Sequence, residues 1–225
     1  TKESLIPDKR QIMQIFRLAW PSAISQAFTS LGFAILNSVI ADYDASILSA
    51  IAIGNRINSM LLFPAMGVGS VLATFVGQNI GAGNIKRAKK SVNMAMLLSL
   101  IIGVVGGFGL LPFRHQLSSI FLDVQSDIDL CVKYLFYLLV GLPLMSIFQC
   151  FNGCFQGAGR TNFSLALSTA RLWVMRVPVV LLMLYVFDVG VQALWLCMVI
   201  SNFGAGILGI ILYQYVDFLP RVSKM

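Results

Sequence analysis

Long apolar runs alternate with short polar connections along this chain, and nearly all of its charged residues fall in the connections. Six stretches, near 15–40, 46–76, 91–113, 131–154, 163–186 and 190–214, are long enough to cross a hydrocarbon layer about 30 Å thick, which takes roughly 20 helical residues. Lipid leaves open backbone groups unsatisfied, and the stretches lack both the ~10-residue length and the alternation of a barrel strand, so each is predicted to be a helix. The predicted fold class is all-α: a polytopic membrane protein with a six-helix bundle over residues 15–214, a lead-in over 1–14 and a tail over 215–225. The connection from Arg114 to Leu130 is the longest, and Leu117, Ile120, Phe121 and Val124 recur in it at helical spacing, which predicts an amphipathic turn along the membrane surface.

Composition sharpens the picture. With 58% hydrophobic residues, 11% charged and a mean hydropathy of +0.84, the chain is too apolar for a water-soluble domain of its length. All nine carboxylates lie between the apolar stretches. Lysine and arginine cluster in alternate connections: Lys2, Lys9, Arg10 and Arg17, then Lys86, Arg87, Lys89 and Lys90, then Arg160, then Arg221 and Lys224. The other three connections carry only Arg114 and Lys133 against several aspartates, so both termini are predicted to be cytoplasmic. The formal charge of +7 is thus a topology signal, and no basic aqueous face exists for nucleic acid. Cys131, Cys150, Cys154 and Cys197 read as packing residues rather than as disulfides or a metal site. The lone histidine, His115, falls in the surface connection. With neither histidine nor carboxylate inside the helices, an intramembrane enzyme lacks its base, and no cofactor or metal is expected. No segment resembles a cleavable targeting peptide, and a start at Thr1 suggests a portion of a longer protein.

The polar residues inside the apolar runs are few and grouped. On the fourth helix Gln149, Asn152 and Gln156 fall on one stripe that Ser146 extends. Asn55 and Asn58 share a face of the second helix near Arg56, while Gln26, Thr29 and Asn37 lie on the first. Each amide alone is accounted for by hydrogen bonds between helices, but their concentration on helices one, two and four favours a cavity for a solute. Arg56, Arg171 and Arg176 lie inside apolar runs without an acid beside them. Their partners are backbone carbonyls at kinks, a carboxylate from elsewhere, or an anionic substrate. Pro21, Pro64, Pro143 and Pro178 are candidate hinges, and Gly103, Gly106, Gly107, Gly204 and Gly206 would allow close helix contacts. Two connections, Gly77 to Asn84 and Phe155 to Asn162, resemble each other and read as helix stops.

Pro21, the Gly77-Gln78-Asn79-Ile80-Gly81-Ala82-Gly83-Asn84 run with Lys86-Arg87-Ala88, the Phe155-Gln156-Gly157-Ala158-Gly159-Arg160 run, and Arg171-Leu172-Trp173 leading to Arg176-Val177-Pro178 together resemble the multidrug and toxic compound extrusion transporters. The resemblance implies one lobe of a twelve-helix transporter, its C-terminal half, whose partner is a missing N-terminal six-helix lobe or a second copy of this chain. It implies membrane lipids as surroundings, residence in the cell membrane, and secondary active antiport by alternating access, exporting amphiphilic, cationic drugs or metabolites against protons or sodium. Asn37, sixteen residues after Pro21, is an amide where the resemblance implies an aspartate, or a neighbour of one, in the other lobe; Ala23 to Ser38 and Leu142 to Asn152 hold no acid. A coupling ion bound by the missing lobe, H+ rather than Na+, follows. The substrate-cavity candidates are Gln26, Asn37, Asn55, Arg56, Asn58, Gln149, Asn152 and Arg176. A flippase for an anionic lipid-linked oligosaccharide of the same superfamily is the alternative, and suits the arginines better.

Overall fold

The structure, a computed structural model, describes residues 9–41, 45–185, 191–216 and 218. These build α1 (Lys9–Ala41), α2 (Ala45–Gly81), α3 (Ile85–Leu110), a short α4 (Arg114–Ser119), α5 (Gln125–Gly157), α6 (Thr161–Thr169), a π-helical segment (Ala170–Arg176), α7 (Val177–Tyr185) and α8 (Val191–Gln214). The segment α6–π–α7 is continuous, so six long rods account for the described residues, and the fold is all-helical as the apolar pattern predicts. Of these rods, five are long and apolar enough to cross a membrane among the described residues. α1, with 33 residues, likewise has ample length to cross.

Both glycine-rich connections close in the same way. Asn84 N donates to Asn79 O at 2.7 Å and Gly83 N to Ile80 O at 2.9 Å, while Arg160 N donates to Phe155 O at 2.8 Å and Gly159 N to Gln156 O at 3.0 Å. This is the double closure of a helix whose following residue is left-handed, and Gly83 (φ 72°) and Gly159 (φ 67°) supply that conformation without a Cβ clash. The stops are therefore real but fall late. Gly77, Gln78 and Asn79 remain helical, and Asn79 Nδ2 donates to Phe75 O at 2.7 Å inside the last turns rather than capping the end.

Gly77 and Gly157 have a second role. Gly69, Ala73 and Gly77 step along α2 every four residues, and Gly153 and Gly157 do the same on α5. A Cβ on Gly69 would stand 2.7 Å from Gln149 O, one on Gly153 would meet the Gly69 backbone, and one on Gly157 would meet Ala73. The two rods touch backbone to backbone, the contact that small residues permit where lipid offers no hydrophobic drive for association. Gly103 and Gly107 let α3 approach Pro143 and Leu139 of α5 in the same manner, as the glycine spacing predicts; Gly206 meets nothing within 4 Å.

Packing gathers into two apolar clusters. One joins Ala50, Ile51, Ile57, Tyr134, Leu135, Leu138, Leu172, Val180 and Trp195; the other joins Leu72, Val76, Val92, Phe148, Phe151, Phe155, Leu167 and Ala205. Along α2, α5 and α8 the first cluster precedes or follows the second in sequence, so they occupy opposite ends of the bundle. Between them lies a belt with polar side chains. In the turn after α3 Leu117 is half-buried while Ile120, Phe121 and Val124 are exposed, and α4 packs on α5, with Arg114 over the Phe136 ring at 5.4 Å.

Candidate functional site

The belt contains a cavity of about 280 Å³ lined by Phe33 of α1, Asn55, Asn58, Ser59 and Leu62 of α2, Leu138, Gly141 and Met145 of α5, Arg171 and Arg176 of the π segment, and Met198 and Asn202 of α8. Its mouth lies between α1 and α2, where Phe33, Asn55 and Ser59 are exposed; its floor is formed by Arg171, Arg176 and Asn202, which are buried. The gap exists because α1 leans mainly on α6, with little contact to α2. Trp173 Nε1 donates to Phe28 O at 3.0 Å, and Leu172 fills the space beside Gly32, tying α1 to the π segment.

The π segment sets the arginine geometry. In an α-helix, residues five apart point in different directions, whereas i→i+5 bonding brings them toward one face. Arg171 and Arg176 stand five apart and both reach Asn202: Arg171 Nη1 donates to its Oδ1 at 3.4 Å and Arg176 Nη2 at 3.2 Å. Arg176 Nε also donates to Ser201 Oγ at 3.0 Å, Arg171 Nη1 to Met145 Sδ at 2.9 Å, and the Arg171 guanidinium lies 4.1 Å from the Phe148 ring centre. These partners are all neutral. Among the described residues Arg171 Nε, fully buried, has no hydrogen-bond partner.

The amides are already committed on one side. Tyr134 Oη donates to Asn55 Oδ1 at 2.7 Å, so the Asn55 carbonyl is spent and its N–H group is left for the cavity. Asn202 has likewise given its oxygen to the two arginines, and its Nδ2 lies at the cavity wall beside Gly141. The cavity thus offers hydrogen-bond donors and positive charge.

Of the eight cavity candidates, Asn55, Asn58 and Arg176 meet here. Gln26 and Asn37 sit exposed on α1, Arg56 is exposed on the outer side of α2, and Gln149 is half-buried on α5, all away from the cavity lining. The amide stripe on α5 is split: Asn152 turns to α6, where Ser164 Oγ donates to its Oδ1, and Gln156 is exposed. Pro21, Pro64 and Pro143 lie inside α1, α2 and α5, and Pro178 is the second residue of α7, just beyond the π segment. Ser201, Asn202 and Tyr134 escaped the sequence reasoning, although Asn202 is an amide in the middle of the last apolar run, a readable sign. Among the described residues no cluster of histidine, cysteine or carboxylate could hold a metal ion, and the four cysteines are buried and free. A larger apolar groove of about 770 Å³ between α2 and α3 has polar groups only at one end, Arg87, Lys90 and Ser91.

The MatE family model matches residues 21–182, which span α1 through most of α7, including both glycine turns and both arginines. The chain belongs to the MatE family. MatE proteins are membrane transporters and not enzymes, and this chain is a multi-pass member. A probable multidrug resistance protein of Bacillus subtilis, YoeA, is 24% identical over 84% of this chain and 41% of its own length. A FAD transporter of Shewanella oneidensis is 29% identical over 86% of this chain and 42% of its own. Among solved structures, a MOP superfamily transporter from Pyrococcus furiosus, described as having a binding pocket of reverse polarity, superposes with a TM-score of 0.87 at 23% identity, over 96% of this chain and 48% of that one. An outward-facing multidrug resistance MATE transporter gives 0.86 at 23% identity, over 94% and 48%. The MatE chain described here therefore spans less than half the length of the relatives it matches, one lobe of such a transporter.

Proposed function

We propose that this chain is one lobe of a secondary active antiporter that exports amphiphilic organic solutes by alternating access, in exchange for protons or sodium. The observation that carries this is the cavity in the middle of the bundle, lined by Asn55, Asn58, Asn202 and two arginines and closed off by an apolar cluster toward either end. Polar groups at bilayer depth are costly unless they face protein or a water-filled path, so a belt of them open on one side marks a solute path. A companion lobe would close the open α1–α2 side and bring the acid that binds the coupling ion, because this cavity has none. The chain would sit in the cell membrane with both termini cytoplasmic, in keeping with the basic turns at Lys86–Lys90 and Arg160.

Organic cations, the solutes implied by the family resemblance, would find their counter-charge only on the companion lobe. The arginine floor favours the alternative, solutes with an anionic group such as lipid-linked sugars. The test is gradient-driven movement in proteoliposomes of the complete transporter, with one cationic and one anionic fluorescent amphiphile. Accumulation that follows an imposed proton or sodium gradient is expected for at least one of them; no gradient-linked movement of either sinks the proposal.

A further inference from the structure

We infer that Arg171, Arg176 and Asn202 form a receptor for the oxyanion of the transported solute, a phosphate or carboxylate, at the floor of the cavity. The inference rests on the lobe being part of a solute carrier and names the chemistry of its cargo.

Three observations converge. First, two guanidiniums share one carbonyl oxygen, Asn202 Oδ1, and their remaining partners, Ser201 Oγ, Met145 Sδ and the Phe148 and Phe33 rings, carry no charge. Two cations with relative exposures of 5% and 4% facing each other without an anion is a costly arrangement, and it is relieved by a ligand that supplies the negative charge. Second, Arg171 Nε is a buried donor with no partner among the described residues, so the guanidinium that lines the cavity is incompletely satisfied. Third, two of the amide oxygens that a cationic or N–H-bearing solute would use are engaged from within, Asn55 Oδ1 by Tyr134 and Asn202 Oδ1 by the arginines, which leaves acceptors only at Asn58 and Ser59 toward the mouth. At the floor itself the groups presented are the N–H donors of Arg171, Arg176 and Asn202, the complement of an oxyanion. The volume of about 280 Å³ is at the small end of ligand sites, which suits the charged head of a solute whose body extends through the mouth past Phe33 and Ser59.

Calorimetric titration of the purified complete transporter with phenyl phosphate, phenol and phenyltrimethylammonium, one ring with three charges, reads the site. Phenyl phosphate is expected to bind at least about tenfold more tightly than the other two, and Arg176→Gln to weaken it by about tenfold or more, with Arg176→Lys, which keeps charge but not the fork, in between. Asn202→Asp places a carboxylate between the guanidiniums; it is expected to abolish phenyl phosphate binding while raising the melting temperature, an outcome that also serves if Arg176→Gln does not fold. Tighter binding of phenyltrimethylammonium, or an affinity for phenyl phosphate indifferent to Arg176→Lys and Asn202→Asp, overturns the inference. Inorganic phosphate binding as tightly as phenyl phosphate overturns it too, since the site would then hold a free ion rather than the cargo. Gradient-driven export of a cationic dye without phenyl phosphate binding removes the anion receptor and leaves the carrier; arginine-dependent binding with no transport of any probe does the reverse.

Discussion

Tyr134 is fully buried, yet its hydroxyl reaches Asn55 Oδ1 at 2.7 Å and thereby decides which end of that amide faces the cavity. Tyr134→Phe is expected to cost about 0.5–1.5 kcal/mol from the lost hydrogen bond. At roughly 2–4 °C per kcal/mol for a chain of this size, a thermal melt of the purified protein should show a drop of a few degrees. The freed Asn55 could then turn its oxygen inward, so the preference for anionic over cationic probes should shrink in the same variant. A melt unchanged from the parent would mean that the hydroxyl does nothing for Asn55. Sequence singled out Arg56, Arg171 and Arg176 and took Arg56 and Arg176 as the cavity pair, whereas the structure pairs Arg171 with Arg176. Which of them turn inward depends on helix rotation and, for the last two, on a π segment that no periodicity announces; Arg56, on the exposed side of α2, faces outward. The donors on Asn55 and Asn202 were equally hidden, because an amide's orientation is fixed by partners on other rods.

Within single rods, the π segment and the glycine contacts lead to opposite expectations for small changes in length and size. A π segment amounts to one extra residue in an α-helix, so deletion of Val174, exposed on the outer face, should regularise the rod and leave Arg171 and Arg176 four apart on one side. Insertion of alanine after Val174 should swing them apart. Folding yield and melting temperature are expected to survive the deletion and fail with the insertion; the opposite order would show that the segment is an ordinary α-helix. Gly153→Val should cost about 1–3 kcal/mol by forcing α5 off the Gly69 backbone, whereas Gly67→Ala, with nothing within 4 Å, should be neutral or slightly stabilising by thermal melt. The rods themselves were legible because twenty-residue apolar runs have one physical solution in lipid. Their ends were less so: the second and fourth runs are predicted to stop at 76 and 154, whereas α2 and α5 continue to Gly81 and Gly157, and only Gly83 and Gly159 of the glycines in the two connections are left-handed, Gly77 and Gly157 serving contact between α2 and α5.

In this lobe the four cysteines are buried, which keeps its background low in single-cysteine labelling of the complete transporter. With a water-soluble maleimide, Ser59→Cys at the cavity mouth should label and Ser99→Cys, buried on α3, should not. Lys86→Cys should label from the cytoplasmic side and Ile120→Cys from the opposite side; labelling of both from one side contradicts the proposed orientation. The count of six rods and their all-helical class were readable from hydropathy, and the family from a handful of glycine, proline and arginine positions. The cavity was only partly so, since three of its candidate residues line it and its floor depends on how α8 docks beside the π segment. The two apolar clusters carry a further consequence for electrical behaviour. With a plug of large side chains at each end of the lobe, an ion has no axial route through it, so reconstituted membranes should remain insulating at rest. Any leak current would then have to run along the seam between the two halves, where its size would report how tightly they seal.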